Sequence, residues 1–347
     1  PVYLPRRAAL ERLLDGHLAG GTAVAWENTG VRACFRCEEC AVRVREHDDL
    51  LLVAGMRVSQ RARLLDAGIG TVHELARHEG PVPDLSTRTV AALVAQARLQ
   101  VADRIEDMPP YEVLDTQPLM VLPEPDRGDL FFDFEGDPLW TVDGAEWGLE
   151  YLWGVLTVSD EFHPLWAHDR PSERRALLDF LALVRKRRKR YPGMHVYHYA
   201  AYEKTALLKL AGRYGVGEDD VDDLLRSGVL VDLYPLVRKS IRVGTESYSI
   251  KYLEPLYMGS ELRSGEVTTA TDSITQYAKY CALEADGRGD EAAIVLKEIE
   301  DYNRYDCRST RRLRDWLMAR AIESAVPPRG PQQVRDPAAT ATVEVSD

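Results

Sequence analysis

Two acidic residues lie inside a strongly apolar stretch, residues 130–138, which reads LFFDFEGDP. Successive side chains of a strand point to opposite faces, so Asp133 and Glu135 share one face while Phe132 and Phe134 share the other. Residues two apart on a strand are separated by roughly 6.5–7 Å, so both carboxylates can reach one metal site. Buried carboxylates are unfavourable unless a cation neutralises them. The alternative is an ordinary strand end, with one acid at the sheet edge and one in solvent.

Further acids occur on the predicted elements that would position them near this strand. Glu203 lies where a short strand leads into a helix, and Asp306 lies on a late helix. The other predicted elements are strands over 149–157, 161–167 and 195–199, and helices over 172–189, 204–214 and 292–318. This order of strands and helices is similar to the RNase H-like fold. We therefore expect an α/β domain with a mixed sheet flanked by helices, preceded by a small α-helical domain.

The acidic segments together resemble the DEDD family of 3′–5′ exonucleases. That family has a D-x-E strand, a second motif H-N-x-x-(F/Y)-D, and a third motif Y-x3-D in its tyrosine subclass. This chain has Asp133-Phe134-Glu135, then HYAAYE at residues 198–203, then YNRYD at residues 302–306. Residues 247–250, SYSI, also resemble the helix start between the second and third motifs. Glu203 occupies the position at which the family has Asp, and its side chain is longer by one methylene group.

A more specific resemblance is to the RNase H-like domain of RecB-like nucleases. It rests on residues 195–199, 231–234, 248–251 and 302–303. In that group, the domain follows a nuclease with an iron–sulfur cysteine cluster and often precedes a superfamily 1 helicase. A helicase domain or subunit is therefore an implied partner. The sequence starts at Pro1 without an initiator Met, and we expect it to be a piece of a longer protein.

Five segments are predicted from this resemblance and from composition. They are the tail of a truncated cysteine-cluster nuclease (1–50), a helix-hairpin-helix-like module (51–107), a Pro-rich linker (108–128), an RNase H-like exonuclease domain (129–322) and a disordered tail (323–347).

The exonuclease resemblance implies phosphodiester hydrolysis with two divalent ions. Such ions, about 3.5–4 Å apart, activate water and stabilise the leaving oxyanion, and Mg²⁺ and Mn²⁺ prefer carboxylate oxygen and water as ligands. The implied roles are Asp133 bridging both ions, Glu135 and Asp306 on the ion that activates water, and Glu203 on the other. Tyr302 lies one helical turn before Asp306, and we expect its hydroxyl to orient the attacking water.

Each later residue also has a plainer interpretation when it is taken alone. Tyr302 is compatible with a core aromatic residue, and Glu203 with a solvated acid at a helix N-terminus. Asp306 is compatible with an ion pair to Arg304 or Arg308. The order of the three acidic motifs favours the metal site over these alternatives.

A cysteine cluster near the start of the chain indicates a second metal centre. Cys34, Cys37 and Cys40 form C-x2-C-x2-C, and three thiols so close can bind zinc or an iron–sulfur cluster. His47 is a candidate fourth ligand, and another is a cysteine upstream of Pro1. The alternative is three reduced thiols without metal.

A glycine hairpin between two short predicted helices indicates a nucleic-acid contact. Gly68 and Gly70 flank one residue, and Thr71 is a candidate N-cap for the next helix. This pattern resembles a helix-hairpin-helix module, whose backbone N–H groups bind phosphate without reading sequence. The alternative is an ordinary pair of antiparallel helices.

Other candidate phosphate contacts are basic. Arg187 and Arg188 belong to a run of six cations, residues 185–190, which is alternatively a solvated helix C-terminus that suits the helix dipole. Lys251 is expected on the surface, with phosphate contact as its candidate role. Asp232 is a fifth acid, for which we predict a structural or supporting role.

The composition suits a globular enzyme. The 347 residues are 45% hydrophobic and 29% charged, which is typical of globular proteins, and no apolar run approaches the ~18 residues of a membrane span. The net charge of −12 argues against nucleic-acid binding by the whole surface, but it allows local basic patches. We therefore predict a cytoplasmic, metal-dependent nuclease in DNA processing or repair, specifically a 3′–5′ exonuclease on single-stranded DNA. The alternatives are a ribonuclease with the same site and a catalytically silent nucleic-acid-binding or assembly module.

Overall fold

The chain folds into two compact units. The structure, a computed structural model, describes residues 3–20, 38–104, 108–261 and 269–323. The first unit ends at Val101 and the second begins at Ala102. None of the described helices is both long enough and apolar enough to cross a lipid bilayer.

The described part of the first unit is helical. Leu64, Leu75 and Ala97 are fully buried or nearly so, and they anchor a small core shared by its last three helices. Gly68 has a φ of 79°, a left-handed value that favours glycine, and it turns the chain between two of these helices. Its helices are α1 (Tyr3–Leu18), α2 (Glu38–Glu46), α3 (Val58–Asp66), α4 (Val72–Arg77) and α5 (Thr87–Gln100).

The second unit contains every described strand. The strands are β1 (Tyr111–Val113), β2 (Leu130–Asp137), β3 (Leu149–Thr157), β4 (Phe162–Trp166), β5 (Val196–His198), β6 (Leu230–Asp232) and β7 (Ile241–Val243). The helices are α6 (Arg170–Arg190), α7 (Tyr202–Tyr214), α8 (Glu218–Arg226), α9 (Tyr234–Ser240), α10 (Ile250–Leu253), α11 (Ala270–Ala285) and α12 (Gly289–Glu323).

The main sheet has five strands in the order β4-β3-β2-β5-β6. Strands β2, β3 and β4 are antiparallel neighbours, whereas β5 pairs parallel to both β2 and β6. The acidic strand β2 is therefore the central strand of a mixed sheet. The predicted α/β fold with helices on a mixed sheet is confirmed.

The two faces of β2 are covered by different helices. Phe132 stacks on Phe180 of α6, with ring centroids 4.4 Å apart, and belongs to the large apolar core under α6, α7 and α8. On the opposite face, Asp133 accepts a hydrogen bond from Asn303 of α12. The period-two pattern of the strand thus separates an apolar face from an acidic one.

Two of the predicted segments can be compared in part with the described residues. In the predicted linker 108–128, β1 pairs with β7, and Leu119 and Leu122 are fully buried. This segment packs as part of the second unit. Of the predicted disordered tail 323–347, only Glu323 is described, and it ends α12; the remainder lies outside the described residues.

Several elements of the second unit have no counterpart in the prediction. They are α8, α9, β7 and α11. The predicted helix that starts at residues 247–250 is a single turn, α10, followed by a short 3₁₀ helix, Glu254–Leu256. In contrast, α12 is longer than the predicted helix at both ends.

Candidate metal centre

Three carboxylates converge between the central strand and the last helix. Asp133 and Glu135 come from β2 and Asp306 comes from α12, and one oxygen of each lies within 4.8 Å of the others. Glu135 is only 5% exposed, while Asp133 and Asp306 are half-buried. This arrangement is consistent with the prediction that the three acids share one site, which rested on strand spacing for Asp133 and Glu135 and on the exonuclease resemblance for Asp306.

An asparagine on α12 joins the two acids of β2. Asn303 Nδ2 donates to Asp133 Oδ2 over 2.9 Å and to Glu135 Oε1 over 3.3 Å. The Asn303 side chain is fully buried, and its amide packs so closely on β3 that a Cβ at Gly154 would lie 1.6 Å from Oδ1. Sequence reasoning assigned no role to Asn303, although it lies inside the third motif.

A serine supports Glu135 from the other side. Ser273 of α11 is fully buried and lies 2.7 Å from the Tyr151 hydroxyl, and it counteracts part of the rise in the Glu135 pKa. The pairing of β2 with β3 is irregular between Glu135 and Gly136, and such bulges re-aim side chains near sites. Sequence reasoning missed Ser273, because nothing local marks a serine on α11 as a neighbour of β2.

Glu203 lies beside this group rather than inside it. Its side chain is 3% exposed, and its charge contributes to the rise in the pKa of Asp133. His198 Nδ1 lies 3.2 Å from Glu203 Oε2 and 2.8 Å from the carbonyl oxygen of Ala200. Ala200 adopts a φ of 77°, so the turn between β5 and α7 is held in an uncommon conformation.

Burial and mutual repulsion shift the pKa values of these acids upward. Burial, followed by the charges of Asp306 and Glu135, raises the pKa of Asp133 well above its ordinary value. Burial and then the Asp306 charge raise the pKa of Glu135 to about 8. Burial also raises the pKa of Glu203. Burial opposes protonation of His198, but the Glu203 carboxylate outweighs it and raises the His198 pKa.

These shifts show that the cluster has a deficit of positive charge. Carboxylates held this close repel each other strongly in a low-dielectric site. Oxygen donors of this kind suit a hard divalent cation such as Mg²⁺ or Mn²⁺. The residues therefore fit a divalent metal ion.

A family model described as the RNase_H superfamily matches residues 130–318, which is more than half of the chain. The chain belongs to the RNase H superfamily. The matched region starts at β2 and ends within α12, so it contains all the converging carboxylates. Comparisons with curated proteins and with solved structures found no match.

Two further predicted residues of this RNase H superfamily domain lie beside the site. Tyr302 is 8% exposed, and its hydroxyl oxygen accepts a hydrogen bond from Lys251 Nζ over 2.8 Å. Lys251 was expected on the open surface, but its contact with Tyr302 leaves it half-buried.

Asp232 has a structural role, because its Oδ1 accepts the backbone N–H groups of Ala200 and Tyr234 at 2.9 Å each.

The two arginines predicted to contact phosphate are engaged within the chain. Arg187 Nε donates to the Gly128 carbonyl over 2.6 Å, and its guanidinium lies over the Tyr191 ring. Arg188 is paired with Asp223 of α8. In the RNase H superfamily domain, this part of the basic run therefore supports α6 packing.

In the first unit, the predicted glycine hairpin joins α3 to α4. Thr71 is the N-cap of α4, as predicted. Glu74 Oε2 accepts the backbone N–H of Gly70 over 2.7 Å and that of Thr71 over 3.1 Å. A carboxylate of the chain itself therefore occupies two of the amide groups that were predicted to bind phosphate, whereas the Gly68 N–H donates to the Leu65 carbonyl.

The predicted cysteine metal centre lies largely outside the described residues. Cys34 and Cys37 are not among them, whereas Cys40 is half-buried on α2. His47 Nδ1 lies 2.8 Å from the Arg43 carbonyl oxygen. An iron–sulfur cluster or Zn²⁺ at these cysteines stays a prediction.

Proposed function

We propose that this chain is a metal-dependent nuclease that hydrolyses phosphodiester bonds, acting as a 3′–5′ exonuclease on single-stranded DNA. The observation that carries the proposal is the convergence of Asp133, Glu135 and Asp306 within an RNase H superfamily domain. Buried carboxylates with upward-shifted pKa values favour a site that takes up cations.

The positions of the carboxylates support one ligand set. Asp133, Glu135 and Asp306 would hold a first Mg²⁺ or Mn²⁺, and Glu203, whose charge acts on Asp133, would hold a second ion together with Asp133. Bound ions of this kind would lower the pKa of a water and stabilise the charge on the leaving oxygen.

The remaining residues would position these groups. Asn303 bridges two of the carboxylates, and so restricts their rotation and sets the shape of the site. His198 holds Glu203 in place from β5. Tyr302 would orient the water that attacks phosphorus while the bond from phosphorus to the leaving oxygen breaks. An unperturbed tyrosine, with a pKa of ~10, is a poor general base, so we assign it hydrogen bonding rather than proton removal.

The substrate and partners rest on resemblance. The Y-x3-D spacing of Tyr302 and Asp306 supports the tyrosine subclass of DEDD exonucleases, and with it the 3′–5′ direction. The likeness to RecB-like nucleases supports a role in DNA repair in the cytoplasm, with a helicase domain or subunit as partner. In the first unit, Gly70 would add a phosphate contact only if Glu74 moves off its amide, and Gly68 only if its N–H is released from the Leu65 carbonyl.

The test uses matched acids on one helix. Asp306→Asn removes a carboxylate of the cluster, whereas Asp301→Asn removes an exposed carboxylate of α12 that pairs with Lys297. Single-stranded DNA labelled at the 5′ end and RNA of the same sequence are incubated with Mn²⁺ or with EDTA.

We expect a DNA ladder that shortens from the 3′ end with Mn²⁺, is absent in EDTA, is lost in D306N and is kept in D301N. Absence of Mn²⁺-dependent cleavage by the wild type, or equal cleavage by D306N, would overturn the proposal. Preferential cleavage of RNA would instead identify a ribonuclease with the same site.

A further inference from the structure

A lysine reaches the edge of the acidic cluster from a separate element. Lys251 of α10 donates from Nζ to the Tyr302 hydroxyl oxygen over 2.8 Å, and Nζ lies 5.2 Å from the centre of the Tyr302 ring. The same ammonium is close enough to Glu135 to counteract part of the rise in that pKa. Its charge therefore faces the site as well as the tyrosine.

Packing of α10 against α12 imposes this contact. One helical turn after Lys251, the buried Glu254 accepts a hydrogen bond from Ser309 Oγ over 3.1 Å. The Tyr257 hydroxyl lies 3.0 Å from the same Ser309 oxygen. Ser309 is two turns after Tyr302 on α12. The contacts at Tyr302 and Ser309 together fix the position of α10 along α12.

The segment before α10 is also anchored. The Tyr199 hydroxyl donates to the Tyr248 carbonyl, and the Arg238 guanidinium lies 4.1 Å from the centre of the Tyr248 ring. Tyr199 directly follows β5 in the sequence, so the sheet itself helps to hold the start of α10. A lysine on a freely moving surface loop would have no such support.

The chemistry of the pair fixes the direction of one hydrogen atom. A lysine ammonium can only donate hydrogen bonds, so the Tyr302 oxygen must be the acceptor. The hydroxyl hydrogen of Tyr302 then points away from Lys251. A cation on its oxygen also makes a phenol a stronger hydrogen-bond donor.

We propose that Lys251 is a positioning residue that acts through Tyr302, directing the tyrosine hydroxyl hydrogen toward the attacking water or the reacting phosphate. This inference deepens the proposed nuclease function and rests on it. It differs from the expectation that Lys251 contacts substrate phosphate by itself.

The two roles predict different kinetics. A lysine that binds phosphate contributes to substrate affinity, so its loss raises KM and lowers the salt dependence of binding, by about 0.7 in the log–log slope for one contact with a single strand. A lysine that acts through Tyr302 contributes to the chemical step, so its loss lowers kcat and has no further effect once the hydroxyl is gone.

A double-mutant cycle on the full chain tests the inference. The variants are Lys251→Met, Tyr302→Phe, the double variant, and Lys251→Arg, which keeps a charged donor. Lys239→Met is the matched control, because Lys239 is an exposed lysine at the end of α9. Steady-state cleavage of single-stranded DNA is measured with Mn²⁺ at several salt concentrations, thermal unfolding verifies folding, and calorimetry measures Mn²⁺ binding.

We expect K251M and Y302F to lower kcat by similar factors, up to roughly 100-fold for a misplaced group, with KM unchanged. The double variant should match Y302F alone, K251R should recover part of the activity, and K239M should behave as wild type. Mn²⁺ binding by K251M should be at least as tight as by wild type, since a cation near Glu135 has been removed.

Three results would overturn the inference while leaving the proposed function intact. They are wild-type kinetics in K251M, a raised KM with a reduced salt slope, and a full additional loss in the double variant. Absence of Mn²⁺-dependent cleavage by the wild type would instead overturn the proposed function, and the inference with it.

Discussion

At the scale of single residues, Glu135 should make the metal-free protein sensitive to pH. Burial and the Asp306 charge raise the pKa of Glu135 from 4.5 to about 8. The folded state therefore binds this proton more tightly than the unfolded chain, and the resulting stability is complete below the unfolded pKa. It is lost as the pH rises through the folded value. We expect the free energy of unfolding in EDTA to fall from pH 4.5 to about 8.

Denaturant titrations at a series of pH values measure this dependence, and Glu135→Gln is the control. The variant has no carboxyl at this position, so its stability should depend less on pH over the same range. An equal pH dependence in wild type and E135Q would show that other groups produce it.

Gly154 tests how closely the amide of Asn303 must approach β3. In Gly154→Ala, the added Cβ would lie 1.6 Å from Asn303 Oδ1, so the amide must move and its bonds to Asp133 and Glu135 weaken. We expect a loss of about 1–3 kcal/mol of stability from overpacking, together with loss of Mn²⁺-dependent cleavage.

The control for this substitution is Gly212→Ala in α7. An added Cβ there meets nothing within 4 Å, and alanine favours a helix over glycine by about 1 kcal/mol. We therefore expect G212A to unfold at a slightly higher temperature than wild type and to cleave normally. Wild-type stability and cleavage in G154A would contradict the role given to Asn303.

At the scale of elements, a buried ion pair fastens α12 to the start of the central strand. Arg314 Nη1 donates to Asp129 Oδ2 over 2.7 Å, and both side chains are almost completely buried. The Arg314 guanidinium also lies about 5 Å from the ring centres of Phe131 and Tyr197. Removal of Arg314 would leave the Asp129 charge buried, and among the described residues its remaining donors are the backbone N–H groups of Asp126 and His195.

We therefore expect Arg314→Met to lower the free energy of unfolding by about 3–5 kcal/mol. Arg312→Met removes an exposed arginine of the same helix, paired with Glu261 at 3.3 Å, and should cost less than about 1 kcal/mol. Combining R314M with Asp129→Asn should recover part of the loss, because the unpaired charge is also removed. Urea denaturation measures all three variants, and equal losses in R314M and R312M would contradict this account.

The parts of the site that could be predicted from sequence are those with local spacing. Asp133 and Glu135 two apart on a strand, and Tyr302 four residues before Asp306 on a helix, carry periodicities that can be identified without knowing the fold. The order of these segments along the chain was sufficient for the fold class.

The parts that could not be predicted depend on contacts between distant segments. The contact from Lys251 to Tyr302 spans 51 residues, and that from Asn303 to Glu135 spans 168. Ser273 lies on α11, a helix that the sequence did not indicate. Tertiary packing determines these contacts. The sequence around a lysine on a one-turn helix does not predict which residue the lysine will contact.

At the scale of the whole molecule, the negative charge makes divalent ions important for substrate binding. The net charge is −12, and a polyanionic substrate approaches an acidic protein against long-range repulsion. The four described arginines of the basic run are engaged within the chain, Arg185, Arg187 and Arg188 by ion pairs or hydrogen bonds and Arg190 over the Tyr191 ring. Cations held by the acidic cluster would supply local positive charge at the point of contact with phosphate.

The two compact units should also respond differently to metal. Each has its own apolar core, between Leu50 and Ala97 in the first unit and around β2 and β3 in the second. A ligand stabilises only the folded unit that binds it, by about 2.7 kcal/mol at one hundred times its Kd. For a unit of about 200 residues, this corresponds to roughly 5–10 °C in Tm.

Calorimetric scans of the full chain with Mn²⁺ or EDTA test this expectation. Mn²⁺ should raise the Tm of one transition and leave the other in place, because the converging carboxylates all belong to the second unit. Asp306→Asn should abolish the shift, and Asp301→Asn should keep it. A shift of both transitions, or an equal shift in D306N, would mean that Mn²⁺ binds elsewhere, and the carboxylates of β2 and α12 would lose their assignment as the metal site.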